Sequence, residues 1–175
     1  MDVGNTGEFA AEKSEKEARE IARMIVQKLK STGRKIAFAE SCTGGLLSKL
    51  ITDVPGSSEV FEYGIVSYSN RIKTDVLGVS RDTVSRYTEV SEETAKEMAL
   101  NALRISGADI AVSTTGASGP AGAGDSVAGI SFIGAAFNGE CVCIMIDTRK
   151  ENLTREENRL YTAKSALRIA CDNID

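Results

Sequence analysis

The chain contains no histidine. That absence removes Ser-His and Cys-His catalysis within one chain, and every histidine-based metal site with them. A hydroxyl or thiol nucleophile would have to be activated by a lysine, a tyrosine or a carboxylate instead. Aromatic residues make up only 5% of the chain and no segment is strongly basic, which disfavours a charged, stacking surface for nucleic acid. No apolar run approaches a membrane span, and the stretch after Met1 to Gly7 is charged rather than apolar, so it lacks a signal-peptide core. The expected location is the cytoplasm. The four cysteines, Cys42, Cys141, Cys143 and Cys171, form no CxxC pair. Cys141 and Cys143 would share one face of a strand, a geometry for packing rather than zinc, and reduced, mostly buried thiols are expected.

What is present describes an ordinary globular chain: 175 residues, 42% hydrophobic, with a net charge of −4, enough for one domain with a sizeable core. Residues 1–175 read as a single domain, with an N-terminal helix over about 8–32 and a core over about 34–174. Phe9, Ala18, Ile21, Ala22, Ile25 and Leu29 recur at helical spacing, and Gly33 ends that helix. Ile36 to Ala39 read as a buried strand, followed by a helix from about Gly44 to Ile51 or Thr52. Asp53 to Ser58 is a turn, and Val60 to Ser69 is a strand rich in aromatic and β-branched residues. Short helices follow at Asn70 to Leu77 and Ser80 to Arg86, then an amphipathic helix from Ser91 to just before Gly107. Ile110 to Ser113 is the next strand, and the four glycines of Thr114 to Asp125 predict a loop there. Two apolar runs joined at Asn138-Gly139 predict a β-hairpin, and a last helix spans about Leu153 to Asn173. This alternation, with one late hairpin, predicts a three-layer α/β/α sandwich around a mixed, mostly parallel sheet.

Polar residues concentrate where predicted strands end. Ile36-Ala-Phe-Ala-Glu40 runs into Ser41-Cys42-Thr43-Gly44-Gly45, and a strand-to-helix turn of this kind presents backbone N–H groups to a phosphate or an oxyanion. Ser41 is a candidate nucleophile there and Cys42 its rival, while Ser41 or Thr43 could equally be a plain helix cap. The second loop offers Tyr68, Ser69, Asn70 and Lys73, the last one turn into its helix. A lysine, or a lysine–tyrosine pair, can take a serine proton where histidine is missing. Each also has a plainer role, Lys73 as a solvated helix lysine and Tyr68 as a core or rim aromatic. The glycine-rich third loop, with Thr115, Gly116 and Gly119, resembles a phosphate cradle in composition but fits neither the P-loop nor the dinucleotide fingerprint.

Taken together, these segments resemble the CinA C-terminal-domain family, whose characterised members are nicotinamide-nucleotide amidases. The matching motifs are Ala39-Glu-Ser-Cys-Thr-Gly-Gly45, Asp53-Val-Pro-Gly-Ser-Ser58, Tyr68-Ser-Asn70 with Lys73, Leu77-Gly-Val79, Val90-Ser-Glu92, and Thr115-Gly116 with Gly119-Pro120, over roughly residues 15 to 174. The resemblance implies hydrolysis of nicotinamide mononucleotide to nicotinate mononucleotide and ammonia, with no metal or cofactor. It places the catalytic serine on Ser41 and its assisting tyrosine and lysine on Tyr68 and Lys73. The N–H groups at Cys42 to Gly44 would hold the oxyanion. Cys42, Thr43, Gly44, Gly45, Asn70, Thr115, Gly116, Gly119, Arg155 and Arg159 form the implied oxyanion and substrate-binding set, with Arg155 the candidate phosphate contact. The family's Lys-Pro after the Gly-Pro is absent from Gly122 to Ile130, and its Gly-Asp before the last helix is replaced by Leu153-Thr154. Two other functions stand beside this one: a nucleotide-binding or regulatory module with little turnover, and an amidase for a different small amide. The implied partners are a small nucleotide and further copies of the chain in a homo-oligomer, without nucleic acid or membrane. A stand-alone form, without a molybdopterin-binding-like domain ahead of it, is also implied.

Overall fold

The computed structural model describes residues 6–120, 122 and 126–174, and the side chains of residues 12 onward within them. The Phe9 side chain and Ala121, Ala123, Gly124 and Asp125 of the glycine-rich segment lie outside that set, as do residues 1–5 and Asp175. Helix α1 (Thr6–Thr32) leads into β1 (Ile36–Glu40), α2 (Leu46–Thr52), a 3₁₀ turn (Ser57–Glu59) and β2 (Phe61–Val66). Three helices follow, α3 (Asn70–Asp75), α4 (Arg81–Tyr87) and α5 (Glu92–Ser106), then β3 (Ile110–Ala117), β4 (Ile130–Phe137), β5 (Glu140–Asp147) and α6 (Arg155–Asp172).

The sheet order is β2-β1-β3-β4-β5. β1 pairs in parallel with β2 and β3, whereas β3–β4 and β4–β5 are antiparallel, so four of the five strands point the same way. The sheet is mixed, as expected, and α/β in class. Asn138 (φ 52) and Gly139 (φ 79) turn the β4–β5 hairpin with two successive positive φ angles, the backbone that the Asn-Gly pair favours.

Side-chain size sorts the two faces. Ile36 and Phe38 of β1, with Ile110 and Val112 of β3, pack under α1, α2 and α6 against Ile21, Ile25, Leu29 and Leu167. Ala37, Ala39 and Ala111 face the other way, toward Met98 and Ala102 of α5. Small residues on that face let α5 lie close to the sheet, and a Cβ added at Gly134 would sit 2.5 Å from the Ala95 carbonyl oxygen. β1 is covered on both faces and is apolar throughout until Glu40.

Two predicted boundaries move. β2 stops at Val66, so Ser67 to Ser69 form the connection rather than strand. β3 runs four residues past Ser113, and Thr114 to Ala117 pair with Ile133 to Ile130 instead of looping. Gly116 is the reason this stretch carries glycine: a Cβ there would fall 2.4 Å from that of Ser131. Because α2 joins β1 to β2 on one face and α5 leads to β3 on the other, the strand order reverses beside the C-terminal end of β1. In open α/β sheets the ligand crevice forms at such a switch point.

Candidate active site

The turn leaving β1 is built on Glu40. Its carboxylate is fully buried, has no cationic partner among the described residues, and accepts five hydrogen bonds. Thr43 Oγ1 (2.8 Å), Gly45 N (2.9 Å) and Leu47 N (3.1 Å) donate to one oxygen; Ser48 N (2.9 Å) and Ser48 Oγ (2.7 Å) donate to the other. With the Thr43 proton committed to Glu40, Thr114 Oγ1 donates to Thr43 across 2.7 Å and ties the turn to β3. Glu40 therefore caps α2, and neither Ser41 nor Thr43 does. Gly45, at φ 94, supplies the left-handed residue the turn needs.

This narrows the set of oxyanion donors that the resemblance implies at Cys42 to Gly44. The Gly45 N–H is spent on Glu40 and the Gly44 N–H on the Ser41 carbonyl (3.1 Å), and the positive end of α2 already holds a carboxylate. Among the described residues, the amides of Cys42 and Thr43 are the ones in this turn left without an acceptor.

Lys73 approaches from the segment after β2. Ser69 caps α3 by accepting from Ile72 N, which starts the helix early enough to place Lys73 on its inner side. Lys73 is 1% exposed, and its Nζ stands 2.9 Å from Ser41 Oγ. Nζ donates to the Ser67 carbonyl at 2.8 Å and makes a long contact to the Tyr68 carbonyl at 3.5 Å. Ser67 is held in turn by its N–H to the Glu40 carbonyl (2.8 Å). Burial lowers the lysine to about 8, against a smaller upward pull from the Glu89 charge. Two carbonyls facing the N–H bonds of a neutral amine leave its lone pair for the Ser41 hydroxyl. Cys42 is disfavoured as the rival nucleophile, because burial pushes its thiol up to about 12.

A cavity of about 360 Å³ opens above this pair, within the roughly 300–1,000 Å³ range of small-molecule sites. Ser41, Cys42, Lys73 and Glu89 are among its lining residues, with Tyr68, Asn70, Thr115, Gly116 and Arg155. Tyr68 is 60% exposed, and its hydroxyl accepts from Arg155 Nη2 at 3.0 Å rather than joining Ser41 or Lys73. The other arm of Arg155 donates to the Gly119 carbonyl (2.8 Å). Arg159 is not in the cavity: it donates to the Thr43 carbonyl (2.7 Å) beneath Gly44 and braces the turn. Thr43, Gly44, Gly45 and Gly119 are likewise not among the residues lining the cavity, although Gly119 holds Arg155 through its carbonyl.

Three contributors escaped the sequence reading. Glu40 was visible as an acid ending an apolar strand just before a helix, and that pattern could have marked it as a cap. Glu89 has no periodic or motif signal of its own. Asn158 holds the rim from α6 by donating to the Ser118 carbonyl (3.1 Å), a contact no local pattern reveals.

Known proteins carry the same architecture. A competence/damage inducible protein from Agrobacterium tumefaciens superposes with a TM-score of 0.83 at 37% identity, covering 90% of this chain and 96% of that one. One from Enterobacter asburiae gives 0.85 at 28% identity, covering 90% and 98%. The nicotinamide-nucleotide amidohydrolase PncC of Enterobacter agglomerans is 41% identical over 157 residues, 90% of this chain and 95% of that protein. A CinA-like protein of Chlorobium limicola is 47% identical over 153 residues, 86% of this chain but 35% of that protein. The chain thus spans about a third of the length of the CinA-like and competence-damage relatives. Residues 18–174 match the family described as the CinA C-terminal domain, and the chain belongs to that family.

Proposed function

We propose that this chain is a serine amidohydrolase that removes ammonia from the carboxamide of nicotinamide mononucleotide. The observation that carries the reading is the buried Lys73 amine 2.9 Å from Ser41 Oγ at the floor of the cavity. The relative named for this reaction, matched over nearly its whole length, supplies the substrate class.

In this reading neutral Lys73 takes the Ser41 proton as Oγ attacks the carboxamide carbon. The amides of Cys42 and Thr43 receive the oxyanion. The Lys73 ammonium then protonates the leaving nitrogen, ammonia departs, and a nicotinoyl ester remains on Ser41. Lys73, neutral again, takes a proton from water; the hydroxide adds to the ester carbon, and the returning proton frees Ser41 and the nicotinate nucleotide. Arg155, fixed by Gly119 and Tyr68 at the cavity mouth, is the phosphate contact.

Ammonia release from nicotinamide mononucleotide by purified protein tests this. The Ser41→Ala variant is expected to lose about 10³-fold or more in kcat while keeping its fold. Full activity in that variant would sink the mechanism.

A further inference from the structure

Among the described residues Glu89 is the one acid lining the cavity, and its place is built rather than incidental. Thr115 Oγ1 donates to the Glu89 carbonyl at 2.6 Å, pinning the residue to β3. Its neighbour Thr88 holds a φ of 71, and the Thr88 carbonyl accepts from Ser91 Oγ (3.2 Å) and Thr94 Oγ1 (2.7 Å) at the start of α5. The main chain on both sides of Glu89 is therefore anchored. The carboxylate is not: among the described residues it accepts no hydrogen bond and forms no ion pair, although the residue is half-buried. Glu40, by contrast, is satisfied five times over. An anchored carboxylate with no hydrogen bond or ion pair of its own, beside the hydrolytic pair, is free to receive a cationic group of a ligand.

The cavity wall also carries Arg155, whose positive charge favours an anionic group of a ligand. A ligand that meets both ends must be positive at one point and negative at another. Nicotinamide mononucleotide has that pattern, with an N-alkylated pyridinium and a phosphate, and this step rests on the function proposed above. We propose that Glu89 is a specificity residue whose carboxylate faces the pyridinium ring and selects the charged ring over an uncharged one. With the phosphate on Arg155 and the ring cation toward Glu89, the ring is held from two sides while its carboxamide meets Ser41.

The test compares ammonia release from nicotinamide mononucleotide with release from its 1,4-dihydro form, which keeps the ribose, phosphate and carboxamide but has a neutral ring. The two rings differ in intrinsic reactivity, but that difference is common to every variant and cancels when variants are compared. In Glu89→Gln, kcat/KM for the charged ring is expected to fall about 10- to 100-fold, mainly through KM, while the value for the neutral ring holds or rises. Glu89→Asp keeps most of the preference. Equal losses on both rings in Glu89→Gln mean a structural role only and overturn the assignment, as does an unchanged ratio. Wild-type protein that releases no ammonia from either nucleotide overturns the amidase reading itself, and this assignment falls with it.

Discussion

Glu40 is fully buried and Lys73 is 1% exposed, yet the fold treats these two ionisable groups in opposite ways. Around Glu40 it converges five donors, three of them backbone N–H groups at the start of α2. Around Lys73 it offers one short bond to the Ser67 carbonyl, one long contact and the Ser41 hydroxyl, with no carboxylate in contact among the described residues. The first arrangement spends its hydrogen bonds on rigidity and fixes the turn that carries Ser41. The second withholds stabilisation from the charged state, and that leaves a usable fraction of neutral amine near physiological pH while the group stays basic enough to accept a proton. One side of the site is built for position and the other for reactivity.

Breaking the rigid side should have the largest effect on the fold. Glu40→Gln replaces an acceptor of five donors by a group that turns an NH₂ toward N–H groups, and it leaves amides of the α2 turn unsatisfied. A loss of about 3–5 kcal/mol is expected, read as a drop in the urea midpoint, and ammonia release falls with it because Ser41 loses its setting. A variant as stable and active as the parent would mean that the turn holds itself without the cap.

The reactive side should respond with the opposite sign. A lysine at about 8 in the fold against 10.5 when exposed stays neutral while the unfolded chain already carries its proton. Its contribution to stability is therefore at its best above pH 10.5, is lost as pH falls toward 8, and stays at the lower level below that. At pH 7 the deficit is roughly 3 kcal/mol at 1.36 kcal/mol per pH unit. Lys73→Met removes it but abandons the Ser67 carbonyl, so a net gain of about 1–2 kcal/mol is expected, alongside a loss of about 10²–10⁴-fold in ammonia release. In the parent, kcat/KM should climb about tenfold per pH unit below about 8 and level off above it. A rate that is flat from about pH 6 to 9 would remove Lys73 as the base.

The same contrast explains how much was legible beforehand. The α1 stripe from Ala18 to Leu29 and the Asn138-Gly139 hairpin each depend on residues near one another in sequence, and the structure keeps both. Ser41 and Lys73 stood out because the histidine-free composition left few other ways to activate a serine, and the structure brings them together. Thr114 to Ala117 reads as loop because Gly116 looks like loop punctuation, when it is glycine to admit β4 beside it. The resemblance implies a substrate contact for Arg159, but its guanidinium turns back onto the Thr43 carbonyl, a destination decided by how α6 lies over the α2 turn. Donors and acceptors that meet across the fold leave no periodicity to read.

Tyr68 is the smallest and most discriminating probe of the boundary between the two sides. The motif resemblance pairs it with Lys73 as part of the base, whereas its hydroxyl is bonded to Arg155 and its side chain is largely exposed. If the phenol shared proton transfer, Tyr68→Phe would lower kcat by about 10²-fold or more. As the bonds are drawn, the substitution only releases one arm of Arg155, whose other arm still reaches the Gly119 carbonyl. One exposed hydrogen bond to a cation is worth about 1 kcal/mol, so KM for the nucleotide should rise about two- to fivefold with kcat unchanged. The pH profile should keep its rise toward 8, because the lysine responds to burial and to Glu89 rather than to the phenol. A shift of that rise in Tyr68→Phe would move the tyrosine back into the reactive half of the site.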